Sequence, residues 1–137
     1  MKIFICASKH CYSYIPPIKE ELEKQGHSIT LPNSYEDPMH EERLKKESAE
    51  KHAEFKAAML KLQEEKIKAN DALLICNFEK QGQLNYIGGA TFLEIFKAFE
   101  LDKKIFLMNP IPDNILKDEI VGMQPIIINQ DLSKIKK

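Results

Sequence analysis

Apolar positions in this chain gather into short continuous runs separated by amphipathic or turn-rich stretches. Residues 2–7, 71–77 and 104–108 are such runs, the pattern of strands buried on both faces of a parallel sheet. Residues 27–31 are more polar, which predicts an edge strand, and residues 125–129 predict a fifth strand. Between the first two strands, Ile15, Ile18 and Leu22 form a helical stripe. Pro16 and Pro17 suit the first turn of that helix, where a missing N–H costs nothing, and Gly26 ends it. Residues 33–40 are turn-rich. The stretch from 41 to 70 holds no glycine or proline, which predicts one long helix. Its second half is amphipathic through Phe55, Ala58, Met59 and Leu62 and offers an interface or a core face. Its first half offers only Leu44, Ala49 and Ala53, which suits a lid or a surface packed on a partner subunit. A glycine loop at 88–89 opens a further helix to about residue 101, whose Phe92, Phe96 and Phe99 recur at helical spacing as expected core. After the break at residues 109–112, a short helix is expected over 113–121, and from Asp131 the chain is charged and expected to fray.

Strand and helix alternating in this way predict an α/β fold: a doubly wound, parallel, five-stranded sheet, flavodoxin-like or Rossmann-like, in strand order 2-1-3-4-5. The length of 137 residues predicts one domain spanning 1–137. With 20 Lys and Arg against 21 Asp and Glu the net charge is -1, so there is no basic field for polymeric nucleic acid. No apolar run approaches the roughly 20 residues that cross a bilayer, and the amino terminus lacks a signal-peptide pattern, so no membrane association and a cytoplasmic location are expected. Cys6, Cys11 and Cys76 form no C-x-x-C pair, which suits a reducing compartment. Cys6 and Cys76 end apolar strands and are expected to be buried, whereas Cys11 lies in a polar loop compatible with exposure. The four histidines have no partners at metal-ligand spacing, so neither a metal nor a cofactor is expected. There is no Walker-type motif and no G-x-G-x-x-G, which argues against ATP hydrolysis and NAD binding.

Candidate chemistry concentrates in Asn85-Tyr86-Ile87-Gly88-Gly89-Ala90-Thr91-Phe92-Leu93-Glu94. A glycine loop feeding a helix between two buried strands lies at the carboxyl edge of the sheet, where open α/β folds bind ligands. Gly88 and Gly89 permit close approach of a sugar or phosphate to the backbone. Glu94, read as lying in the opening turn, gains support for its negative charge from free N–H groups and the helix dipole. Ser8, in the loop after the first strand, is a candidate for holding a phosphate or hydroxyl group of a ligand. Asn109, at a strand end, is a further candidate facing the ligand.

The segment Gly88 to Ile105 resembles the signature of the nucleoside 2-deoxyribosyltransferases and the related deoxynucleoside 5′-monophosphate N-glycosidases. In that signature a small-residue loop leads to a Glu, then to an alanine-containing helix, a lysine-bearing turn and a strand. The likeness extends to Ala69-Asn70-Asp71-Ala72-Leu73-Leu74, with an Asp at the head of the third strand, and touches Ile3 to Ser8. It spans most of the chain and is specific around Asp71 and from Gly88 to Lys104. The resemblance implies retaining chemistry at the anomeric carbon of a 2-deoxyribose through a covalent intermediate. It implies Glu94 as nucleophile and Asp71 as the residue that hydrogen-bonds or protonates the departing base, a role that requires a raised pKa. The aromatic residue that orients the nucleophile is Tyr12 or Tyr14. Family transferases carry a second acid shortly before the Glu, where this chain has Asn85 and Tyr86, groups suited to binding a hydroxyl or a base edge. The resemblance also implies a homodimer or larger homo-oligomer and a small-molecule nucleoside or nucleotide as partner. A non-catalytic nucleotide-binding or sensing module is the alternative. A flavodoxin-like electron carrier fits less well, because residues 7–13 are poor in the Ser and Thr of a phosphate loop.

Overall fold

The computed structural model describes residues 1–136. Its centre is a five-stranded, all-parallel sheet in the order β2-β1-β3-β4-β5, formed by β1 (Lys2–Cys6), β2 (Ser28–Thr30), β3 (Ala72–Ile75), β4 (Lys104–Leu107) and β5 (Ile126–Ile127). This is the doubly wound topology expected from the sequence. The central strands are apolar on both faces because helices cover both: Ile3, Ile5, Leu74 and Phe106 pack on one side and Phe4, Leu73, Ile75 and Leu107 on the other. The first side is covered by α1 (Ile15–Lys24), which follows a 3-10 turn at Lys9–Tyr14. The second is covered by α3 (Ala49–Lys68) through Ile67, by α4 (Gly89–Glu100) through Ile95 and Ala98, and by α5 (Lys117–Gly122) through Ile120.

Four expectations are corrected. The long helix is two, α2 (His40–Glu47) and α3, because Ser48 turns to extended backbone and its hydroxyl accepts from Lys51 N at 3.2 Å, capping α3. Residues of the first half thereby fold back as a hairpin, tied by Glu41 to His52 at 3.0 Å and to Lys56 at 3.1 Å and by His40 edge-on to Phe55. Cys11 is fully buried, carried inward by the 3-10 turn. Phe96 and Phe99, expected as core, are 47% and 46% exposed, since α4 turns Ile95 and Ala98 to the sheet and these two rings away from it. The carboxyl-terminal segment packs on the body over its described residues 131–136 rather than fraying: Asp131 caps a short turn at Leu132–Lys134, and Ile135 is buried against the first helix layer.

Candidate active site

β3 ends at Ile75, and the loop that follows returns at Gly88 to open α4 beside the sheet's carboxyl edge. The loop is held by Tyr86, whose ring lies 4.5 Å below the Lys80 ammonium group. A Cβ on Gly88 would stand 3.2 Å from the Tyr86 hydroxyl, so glycine lets the loop pack closely over this ring without displacing it. α4 opens without a side-chain cap and without an acid in its first turn, and its first residues, Gly89 and Ala90, line a cavity of about 210 Å³. Ser8, Tyr12, Gly88, Gly89 and Glu94, all singled out in the sequence, line that cavity.

Glu94 sits in the second turn of α4 rather than the first, so the helix amides do not hold its carboxylate. It is 7% exposed, buried in the angle between α4 and the end of β1. Burial pushes its pKa up to about 7, against the downward pull of the Cys6 thiol and of the Lys66 and Lys56 ammonium groups. Lys66 is anchored beneath the site, donating to Leu31 O at 2.9 Å with its charge 5.6 Å from the centre of the Phe4 ring. Tyr12 shares the cavity wall, and its hydroxyl is held protonated, first by burial and then by the Glu94 charge. Tyr14 stacks on Phe78 at 4.1 Å and is 45% exposed, so of the two tyrosines Tyr12 is the one beside Glu94.

Four candidates do not line the cavity with Glu94. Asp71 precedes β3 and lies at the amino edge of the sheet, the far end from the cavity, on the surface with Met1, Asp102 and Lys104. Its carboxylate accepts from Lys2 N at 2.8 Å, and that bond holds its pKa below the ordinary value, the reverse of what a proton donor needs. Asn109 locks the ends of β3 and β4 together. Its N–H donates to Asn77 Oδ1 at 3.0 Å, its amide donates to Asn77 O at 3.1 Å, and its Oδ1 accepts from Gln130 at 2.9 Å. Asn85 and Tyr86 shape the loop instead of lining the cavity; Asn85 adopts a left-handed φ of 57°.

The hairpin supplies the other cavity wall, which sequence reasoning missed. Phe55 and Met59, from the stripe read as an interface or a core face, line it on the apolar side, while Glu41, Lys56 and Gln63 add polar groups. Gln63 donates to Ala90 O at 3.4 Å and ties this wall to the start of α4. The i, i+4 stripe was the available signal for Phe55 and Met59; Glu41 and Lys56 had none, since their meeting depends on the break at Ser48.

The fold and site together define an open, doubly wound α/β protein with a buried carboxylate at the sheet's carboxyl edge, the place where such folds bind small ligands. A comparison with solved structures aligns the chain with the CMP N-glycosidase BcmB of Clostridium botulinum, at a TM-score of 0.57 and 19% identity, over 98% of this chain and 96% of that one. The two share a fold across their whole lengths. Neither the family models nor the curated proteins give a match. Among the described residues, no helix is long and apolar enough to cross a membrane.

Proposed function

We propose that this protein belongs with the nucleoside 2-deoxyribosyltransferases and their N-glycosidase relatives, and that it breaks the N-glycosidic bond of 2′-deoxynucleosides or their 5′-monophosphates. The observation that supports this most is Glu94, a carboxylate buried on the cavity wall beside Gly88 and Gly89, in a fold shared with a CMP N-glycosidase. In the first step a Glu94 carboxylate oxygen attacks C1′, the C1′–N bond breaks, and its electron pair leaves with the base, which takes a proton from solvent. In the second, water attacks C1′ and returns Glu94 as carboxylate, or the nitrogen of a second base does so and the reaction is a transfer. Tyr12 acts as a donor that stays protonated beside the nucleophile and orients it. Glu94 must be ionised to attack, so turnover rises with pH through about 7.

The test is chromatographic. The protein and its Glu94→Ala variant are incubated with the four deoxynucleosides and their 5′-monophosphates, with and without a foreign base. Base release or exchange by the wild type alone supports the mechanism, exchange only with acceptor identifies a transferase, and undiminished turnover in the variant sinks it. The exposed Leu93, Phe96 and Phe99 on α4 support self-association into a homodimer or larger assembly, which light scattering reads directly. A cytoplasmic role on free nucleotides fits the same reading.

A further inference from the structure

Two cationic side chains line the cavity on the approach to Glu94, Lys9 from the loop after β1 and Lys56 from α3. Each is already engaged by consecutive acids of α2. Lys9 pairs with Glu42, and Lys56 lies 3.1 Å from Glu41. The uncapped amino terminus of α4, with Gly89 and Ala90, faces the same cavity and also favours an anion. The cavity therefore presents three anion-seeking features, two of which are satisfied from within by the hairpin. The pairs are partly exposed, at 23% and 34% for Lys9 and Glu42 and 41% and 20% for Lys56 and Glu41, so they are weak enough to exchange. Glu41 and Glu42 have other partners to fall back on, His52 at 3.0 Å and Lys45 at 3.5 Å.

We propose that the cavity takes a ligand bearing a 5′-phosphomonoester, held by Lys9 and Lys56, and that Glu41 and Glu42 occupy these two ammonium groups as internal counter-ions until that ligand displaces them. The inference rests on the N-glycosidic reading of the site and commits it to the monophosphate over the free nucleoside. A phosphomonoester carries more negative charge and more acceptor oxygens than a single carboxylate, which drives the exchange. The α2 hairpin is freed from the loop after β1 when the exchange occurs.

The experiment compares kcat/KM for a deoxynucleoside and its own 5′-monophosphate in the wild type, in the Lys9→Met/Lys56→Met double variant and in the Glu41→Gln/Glu42→Gln double variant. Reading the ratio of the two substrates cancels any general damage to the site. The wild type is expected to favour the monophosphate by roughly 10- to 100-fold, the range of one or two hydrogen bonds to a charged group. The lysine double variant is expected to bring the ratio near one, and the glutamate double variant to raise it and lower KM for the monophosphate. A wild-type preference for the nucleoside, or the same ratio in the lysine variant, overturns the proposal. A second arm measures binding of inorganic phosphate, deoxyribose 5-phosphate, nucleoside and monophosphate to Glu94→Gln by calorimetry, independently of chemistry. Phosphate-dependent binding that needs the lysines, without base release by the wild type, keeps this inference and sinks the N-glycosidic reading. Base release together with binding that ignores the phosphate does the opposite.

Discussion

The two edges of the sheet carry the two carboxylates that the sequence singles out, and they are electrostatic opposites. At the carboxyl edge Glu94 is buried and its pKa stands near 7; at the amino edge Asp71 is exposed, bonded to Lys2 N, and its pKa lies below normal. The chemical group is the same in both. What differs is whether water can solvate the charge, and that is decided by which end of a parallel strand each residue adjoins. The loop after a strand returns into a helix that roofs the edge, whereas Asp71 enters β3 from the surface. Burial at the covered edge disfavours the charge of Glu94, whereas Asp71 at the open edge serves as a backbone acceptor.

Removing the buried carboxylate is the most severe way to break this contrast. Glu94→Ala is expected to lower turnover by roughly a thousand-fold or more, the scale seen when a covalent nucleophile is deleted, with circular dichroism confirming the fold. Glu94→Gln tests the electrostatics by stability. A carboxyl whose pKa is raised on folding is held most favourably when protonated, so its ionisation destabilises the native state as pH rises from about 4.5 towards 7 and above. Denaturation at pH 8 should therefore show Glu94→Gln more stable than wild type, by up to about 3 kcal/mol, with the gap closing at pH 5. An unchanged gap across that range would mean that Glu94 is not charged at a cost in the native protein.

Lys66 sharpens the contrast from the other side. Replacing its ammonium group with Lys66→Met should move the acid limb of the pH–rate profile upward by about one unit, and Lys66→Arg should restore most of it. A limb that stays in place while activity merely drops would assign Lys66 to packing through Leu31 and Phe4. The smallest effect is expected from Asp71→Asn: less than about a two-fold change in kcat/KM, since a group on a distant, solvent-exposed edge couples weakly to the site. A large loss of turnover in that variant, with the fold intact, would break the comparison outright.

Much of this was legible because it depends on local pattern. The runs at β1, β3 and β4 identify themselves by continuous apolar character, and the glycine pair followed by Glu94 marks the loop that feeds α4. Errors came where a residue's partner lies elsewhere in the chain. Asp71 and Asn109 both stand at strand ends, and a strand end looks alike whether it faces the cavity, the solvent or a neighbouring strand. Phe96 and Phe99 share the spacing of Phe92, yet the sheet can accept only one face of α4, and Ile95 and Ala98 fill it. Ser48 hid among charged residues in a stretch free of glycine and proline, so the hairpin it permits went unread.

By itself, the sequence determined the layers and the strand order and singled out Glu94 after its glycine loop, since hydrophobic period and loop chemistry are written in neighbouring residues. Only the tertiary structure decided how acidic Glu94 is, that Tyr12 rather than Tyr14 stands beside it, and that Lys9 and Lys56 meet Glu42 and Glu41 at one cavity. Burial and charge pairing are properties of distance in space, and the chain sets those distances only when the sheet closes and the hairpin folds over its edge.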